Sequence, residues 1–267
     1  MLVSIAVLTI IMTFFWSILQ SVSSVTSSEE TRMSSLEEAR RGFRFFELDW
    51  NARVAFSPQA IRHRETEGND EVGWIGYVRG YAGNRLPLAS VAYRLAYDDQ
   101  DTRAQLERAA LGYQYGSDDS TQPHLYVDAD IPEPADADFE VIAEDLFRFE
   151  VGYLQYDPDL GQVSYVSEPN GDLDNLKAMI VTVASVRLPD LESLSIDAEA
   201  AHQALVEMFP DLDGASSPYR LWRSLAEDAA EVVETAGLPW PAAQSIRVFE
   251  RTYVFDPIST PAEESQP

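Results

Sequence analysis

The feature that most limits how this chain can fold is its start, where Met1 to Leu19 reads MLVSIAVLTIIMTFFWSIL and the first charged side chain is Glu29. An apolar run of about 20 residues makes a helix about 30 Å long, the thickness of a bilayer's hydrocarbon core. A secretory signal peptide fits poorly. No basic segment precedes the run, the run is longer than such a peptide's apolar region, and no A-x-A site follows. A buried helix of a soluble domain fits poorly too, because the run is uncharged on every side and terminal.

Beyond the run the pattern turns amphipathic. Val22, Val25, Met33, Leu36, Ala39, Phe43, Phe46 and Trp50 form one apolar stripe, with no proline before Pro58 and no glycine before Gly42. The spacing predicts a helix over 1–50, about 75 Å long if continuous, with a membrane span at about 1–24 and an amphipathic continuation at 25–50. The large aromatics at Phe43, Phe46 and Trp50 suit packing on the pleated surface of the chain's own sheet. A two-stranded coiled coil would prefer Leu and β-branched residues.

Removing that helix leaves roughly two hundred residues, enough for one sizeable core. Composition agrees, with 45% hydrophobic and 11% aromatic residues. The formal net charge of −26 excludes nucleic acid as a partner and argues against a head lying flat on an anionic membrane. The chain has no cysteine and therefore no disulfide.

The head, 51–257, reads as β-rich with helical insertions. Val72–Tyr81 reads as a central strand, and Ala89–Tyr97 with Leu106–Tyr115 as a hairpin across Asp98–Asp101. Asp128–Asp138 is an acidic, proline-containing connector and the candidate subdomain boundary. Ile142–Tyr156 reads as one strand with Phe147, Phe149, Val151 and Tyr153 on one face. Gln162–Ser167 and Leu176–Leu188 follow as strands, Asp197–Phe209 and Ser217–Ala236 as helices, and Ser245–Phe255 as a closing strand. The tail, 258–267, is polar and expected to be disordered.

Met1, Leu2, Val3, Ser4, Ile5, Ala6, Val7 and Leu8 resemble the segment that follows the prepilin cleavage motif in type IV pilins and type II secretion pseudopilins. In that family the mature chain begins Phe-Thr-Leu-(Ile/Val)-Glu and runs on in this manner. The glycine, phenylalanine and glutamate of the motif do not stand in this sequence. Neither processing by prepilin peptidase nor the assembly role of the glutamate is therefore placed on any residue. The VAYRLAY hairpin resembles J-type minor pseudopilins. So does the order of Ala143-Glu144-Asp145, an aromatic strand, an acidic loop, then Leu176-Lys177-Ala178 and a hydrophobic strand.

The resemblance implies an α+β fold, with a long N-terminal transmembrane-plus-amphipathic helix packed on an antiparallel β-rich head with inserted helices. It implies a minor pseudopilin-like structural protein of a type II secretion or type IV pilus-like fibre. Such a protein is a single-pass protein anchored in the inner membrane before assembly, its head in the periplasm or outside the cell. Its partners would be other pseudopilins or pilins, an inner-membrane assembly platform and the lipid bilayer. Leu2, Val3, Ile5, Val7, Leu8, Leu36, Phe43, Phe46 and Trp50 are the expected assembly and packing residues.

Motifs for chemistry are absent. His63, His124 and His202 are not at metal-ligand spacing, and no Gly-x-Ser-x-Gly elbow, Walker loop or dinucleotide fingerprint occurs. Asp157 with Asp159, Asp172 with Asp174, and Asp211 with Asp213 before Gly214 alternate oxygens as hard cations prefer. None completes an EF-hand loop, and they read as solvated loop acids. No catalytic residue, cofactor or metal is expected, and the chain is not expected to be an enzyme. A single-pass anchored binding or sensory ectodomain is the alternative, and a signal-anchored hydrolase a weaker one. The abrupt start at Met1 predicts an in-frame leader upstream, ending in Gly and followed by Phe-Thr-Leu-(Ile/Val)-Glu. Reading that DNA checks it, and a stop codon directly before Met1 would leave an ordinary signal-anchored protein.

Overall fold

The structure, a computed structural model, describes residues 2–54, 61–65, 69–80, 87–98, 103–112, 133–169, 175–187, 198–211 and 216–255. On the first helix it describes the side chains of 12–17 and of 33 onwards. The fold is α+β with two antiparallel sheets. The expected tail at 258–267, residues 128–132 of the connector, His124, Asp172, Asp174, Asp213 and Gly214 lie outside the described residues.

Helix α1 (Leu2–Asn51) runs unbroken through 50 residues, as a stretch without proline allows. Its end is marked by Arg53, whose guanidinium donates to the Trp50 carbonyl at 2.9 Å and lies over the Trp50 ring at 4.2 Å. The same carbonyl accepts the Arg53 backbone N–H at 3.2 Å, and a cation there suits the negative end of the helix.

The first sheet is a meander of β1 (Ile61–Arg64), β2 (Glu71–Gly76), β3 (Ala89–Asp98), β4 (Arg103–Gly112) and β5 (Phe139–Ala143), hydrogen-bonded in that order. The predicted hairpin is β3–β4, paired from Asp98↔Arg103 to Ala89↔Gly112. The second sheet has the order β7-β6-β8-β9, from β6 (Leu146–Asp157), β7 (Gln162–Val166), β8 (Leu176–Ser185) and β9 (Arg247–Val254). The single strand expected over 142–156 is therefore two strands in different sheets. The break is at Asp145, whose φ of 59° is left-handed, a conformation that Asp tolerates better than most residues.

A second correction follows within β6. The register slips between Leu146 and Arg148, so two residues face one on β8. This bulge sends Phe147 to the opposite side from Phe149, Val151 and Tyr153, with which the alternation had grouped it. Those three lie in the core shared with α1, whereas Phe147 joins the core beneath the helical layer. Beside them Gly152 admits the Tyr165 ring: a Cβ there would lie 2.1 Å from the phenol oxygen.

The helical layer comprises α2 (Ala198–Met208), α3 (Tyr219–Glu227), α4 (Ala229–Ala236) and α5 (Trp240–Ala243). The helix expected over 217–236 is divided at Asp228, whose carboxylate accepts from the Glu231 N–H at 3.1 Å and so starts α4 afresh. Gly237, with φ 65°, closes α4. Leu205, Phe209, Trp222 and Val232 fill the space between this layer and the second sheet.

The two sheets are also joined at their edges. Beyond the reach of β7, the Phe149 N–H donates to the Asn69 side-chain oxygen at 2.9 Å, Asp70 N–H donates to the Phe149 carbonyl at 3.0 Å, and Val151 N–H donates to the Asp70 carboxylate at 2.6 Å. Two residues leading into β2 thus serve as a partner strand for β6.

The face of the second sheet under the helices also holds ionisable groups. Arg148 bonds Asp211 and lies 5.1 Å from the Trp222 ring centre, with Glu150 3.5 Å away. Burial, and then the charge of Asp70, push the Glu150 carboxyl up from its ordinary 4.5 to about 8, although Arg148 opposes the shift. Burial, and then Arg148, pull His202 down from 6.5 to about 4. A raised acid contributes stability fully below its unfolded value, and loses it as pH rises through its folded value. A lowered base contributes above its unfolded value and loses it as pH falls. The two slopes cancel between pH 4.5 and 6.5, leaving the loss due to Glu150 to show between 6.5 and 8. Melts in detergent should therefore show lower stability at pH 8.5 than at 6.5, by no more than about 1.4 kcal/mol per pH unit. In Glu150→Gln the decline should flatten. An unchanged slope in that variant would overturn the assignment.

Candidate functional site: the N-terminal helix and its seat

The face of α1 against the head is built from Ser35, Ala39, Gly42, Phe46, Asp49 and Trp50, all buried, with Leu36 and Phe43 half-buried beside them. The steps from 35 to 49 are four, three, four and three, which keep one side of a helix turned one way. Small residues come first and let the helix lie close. A Cβ on Gly42 would sit 2.8 Å from Leu106 Cδ2 on β4 and 3.8 Å from the Ala143 Cβ on β5.

Large residues follow where the two sheets meet. The Phe46 ring lies 4.9 Å from Trp74 and 4.8 Å from Tyr93 of the first sheet, and 4.7 Å from Tyr253 of the second. Trp50 meets Trp74 at 5.6 Å and Phe255 at 5.0 Å, and its indole N–H donates to the Val254 carbonyl at 3.3 Å. One turn of helix thus contacts both sheets.

A buried ion pair fixes the register. Arg108 on β4 donates to both Asp49 oxygens, at 2.6 and 3.0 Å, and the Tyr93 hydroxyl donates to the same carboxylate at 2.5 Å. The Trp74 indole N–H reaches the Asp49 carbonyl at 3.2 Å. Burial, with the Asp49 carboxylate beside it, holds the Tyr93 phenol protonated well above its ordinary range. At the rim, Glu38 accepts from the Glu144 N–H at 3.0 Å and Glu47 pairs with Arg251 at 3.0 Å.

Phe46 and Trp50 are therefore buried on the head, and Leu36 and Phe43 lie at the edge of the same seat. Leu2, Val3, Ile5, Val7 and Leu8 lie on the backbone of α1, but their side chains are outside the described residues. Met33, expected on the apolar stripe, is instead 62% exposed. The seat's polar and small members, Ser35, Gly42 and Asp49, escape a search for apolar residues. Their four-three spacing alone could have marked them.

Toward the start of α1 the described side chains are those of 12–17. From Met12 to Ser17 six consecutive residues are exposed, covering the helix all round, and Met12, Phe14, Phe15 and Trp16 are each 63–68% accessible. Among the described residues no helix is long and apolar enough to cross a membrane. Apart from 12–17, the span expected at 1–24 falls on side chains outside them.

Asp157 is engaged within its own turn, accepting from the Asp159 and Leu160 N–H groups at 2.8 and 3.1 Å. His63 is buried 3.4 Å from the Asp70 carboxylate, and His202 stacks on Tyr97 at 4.6 Å. Among the described residues no three His, Cys, Asp or Glu side chains are grouped so as to hold a metal ion.

No family model matches the chain, and no curated protein matches it. Among solved structures it is similar to a type IV-like pilin from Thermus thermophilus, at 8% identity and a TM-score of 0.35, covering 82% of this chain and 94% of that one. At that TM-score no residue carries over from one to the other.

The seat makes a contrast that chemical denaturation can read. Phe46→Ala should cost about 3–5 kcal/mol through the cavity it leaves. Asp49→Ala should cost about as much, because Arg108 would stay buried without its carboxylate. Met33→Ala should fall within about 0.5 kcal/mol of the parent. These losses should be the same at all protein concentrations, since the seat is intramolecular. Losses that grow on dilution would place the stripe between chains.

Proposed function

We propose that this chain is a pilin-like structural subunit, of the minor pseudopilin kind that its first residues and the β6–β8 segment resemble, and that it is not an enzyme. It is held in the inner membrane by the first half of α1, with the head in the periplasm or outside the cell. Its partners are the helices of other pilins or pseudopilins and an inner-membrane platform that assembles them.

The observation that carries this reading is the division of α1. Its last turns are locked to both sheets, while Met12, Phe14, Phe15 and Trp16 stand exposed. Fully burying a Phe or Met side chain is worth about 1.5–3 kcal/mol, so an arm that exposes four large apolar residues in two turns calls for cover. Lipid covers it before assembly and a bundle of like helices afterwards. The transfer between these apolar surroundings is driven by packing rather than by the hydrophobic effect. The fixed seat lets the head follow the arm as one piece.

The full chain should sediment with membranes, resist extraction by high salt, and dissolve only in detergent. In membranes, chains carrying Phe15→Cys should cross-link to one another on oxidation, against a background with no native cysteine. A full chain that is monomeric and soluble without detergent would overturn the anchor. A membrane-bound chain whose arms never cross-link would favour the solitary anchored ectodomain.

A further inference from the structure

The outer face of α1's seated half differs in charge from the chain around it. Arg40, Arg41 and Arg44 are exposed there together with Phe45 and Leu48, and residues three, four and seven apart share a helix face. Glu37 is the exposed acid among them. Glu38 and Glu47 are turned to the head, on the Glu144 N–H and on Arg251. Arg41 makes a loose 3.7 Å contact with Glu38, and Arg40 and Arg44 have no ion-pair partner among the described residues. In a chain with 19 basic and 45 acidic residues, three exposed arginines against one exposed acid reverse the prevailing balance.

The opposite balance stands on the far side of the head. Glu227, Asp228, Glu231 and Glu234 are exposed on α3 and α4, and of these Glu227 is paired with Arg223 at 3.1 Å. The same layer exposes Leu221 and Trp240. The second sheet separates the two surfaces. Phe46 and Trp50 share a core with Val151 and Met179 on one face, and Trp222 and Val232 share one with Phe147 and Ala184 on the other.

We propose that the Arg40–Arg41–Arg44 face of one copy docks on the acidic α4 face of the next copy. This inference rests on the structural-subunit reading and adds which surfaces of the head meet. The two patches lie on opposite sides of one molecule, so the contact is heterologous: each copy gives one patch and accepts the other, and the series does not close on a pair. One helical face is small beside the roughly 800 Å² that each partner of a stable complex buries. The contact therefore forms between copies already held together by their arms, where the effective concentration is high. Phe45 and Leu48 supply apolar contact within the charged rim, and the steering charges make the contact sensitive to salt.

The test uses the full chain in lipid vesicles. A chain carrying both Leu48→Cys and Thr235→Cys, a position exposed on α4 one turn from Glu231, should oxidise into a ladder of multimers. Either single variant should give none. Arg40→Glu with Arg44→Glu should reduce the ladder about tenfold or more, and Glu231→Arg with Glu234→Arg in the same chain should restore it. No ladder, a Leu48→Cys chain that forms dimers by itself, or a ladder indifferent to charge reversal would each overturn the docking. Phe15→Cys chains in the same vesicles separate the two levels. If their arms cross-link and the head ladder is absent, the docking alone fails. If neither links, the assembly reading fails with it.

Discussion

Burying a carboxylate on the inner side of a helix commits its surroundings to that helix. Asp49 is buried at the end of α1 and receives two hydrogen bonds from Arg108 and one from Tyr93. Two charges withdrawn from water repay their desolvation only when geometry is good and the remaining hydrogen-bonding positions are filled. Sliding the helix by a turn would leave Arg108 buried opposite an apolar residue. The ion pair therefore acts as a register pin, and the aromatic cluster around Phe46 supplies most of the adhesion. With α1 so placed, the same wedge covers the inner faces of both sheets, which would otherwise present Trp74, Tyr93 and Tyr253 to solvent.

The second sheet carries the rest of the architecture because β6 is used on both faces and both edges. Its odd residues from Phe149 lie under α1, and the bulge turns Phe147 to the helical layer. Its outer edge is shared by β7 and by Asn69 and Asp70, so the residues leading into β2 tie the first sheet to the second. A head locked in this way is held as one body with the seated half of its helix. The same layering sets the Arg40–Arg44 surface and the acidic α4 surface on opposite sides, the arrangement on which the proposed non-closing contact between copies rests.

Much of the fold was legible in the chain, for reasons that lie in periodicity. A long stretch without proline and with a three-four stripe specifies a helix whatever it packs against. The alternation of Val91, Tyr93, Leu95 and Tyr97, followed by the turn residues Asp98–Asp101, signals a hairpin. Phe46 and Trp50 were recognisable as seat residues because large aromatics on an amphipathic helix need cover. The acidic excess, the absence of cysteine and the apolar first turns are likewise properties of the sequence by itself.

What only the tertiary structure decided are the places where a local pattern has two continuations of similar merit. Residues 142–156 could extend as one strand, and the left-handed turn at Asp145 with the bulge after it divides them between sheets because each half finds a different partner. Residues 217–236 could run as one helix, and Asp228 restarts it because its carboxylate caps a new first turn over the second core. Asp49 and Gly42 stand outside the apolar stripe by which the sequence marks the helix. Arg108 and Leu106 make them the pin and the closest approach, since the worth of a charge or a missing methyl depends on what stands opposite. Met33 shows the converse: its hydrophobicity places it in the stripe, yet it turns to the outer side of the helix with Glu37, Arg40 and Arg44, opposite the buried Ser35 and Gly42.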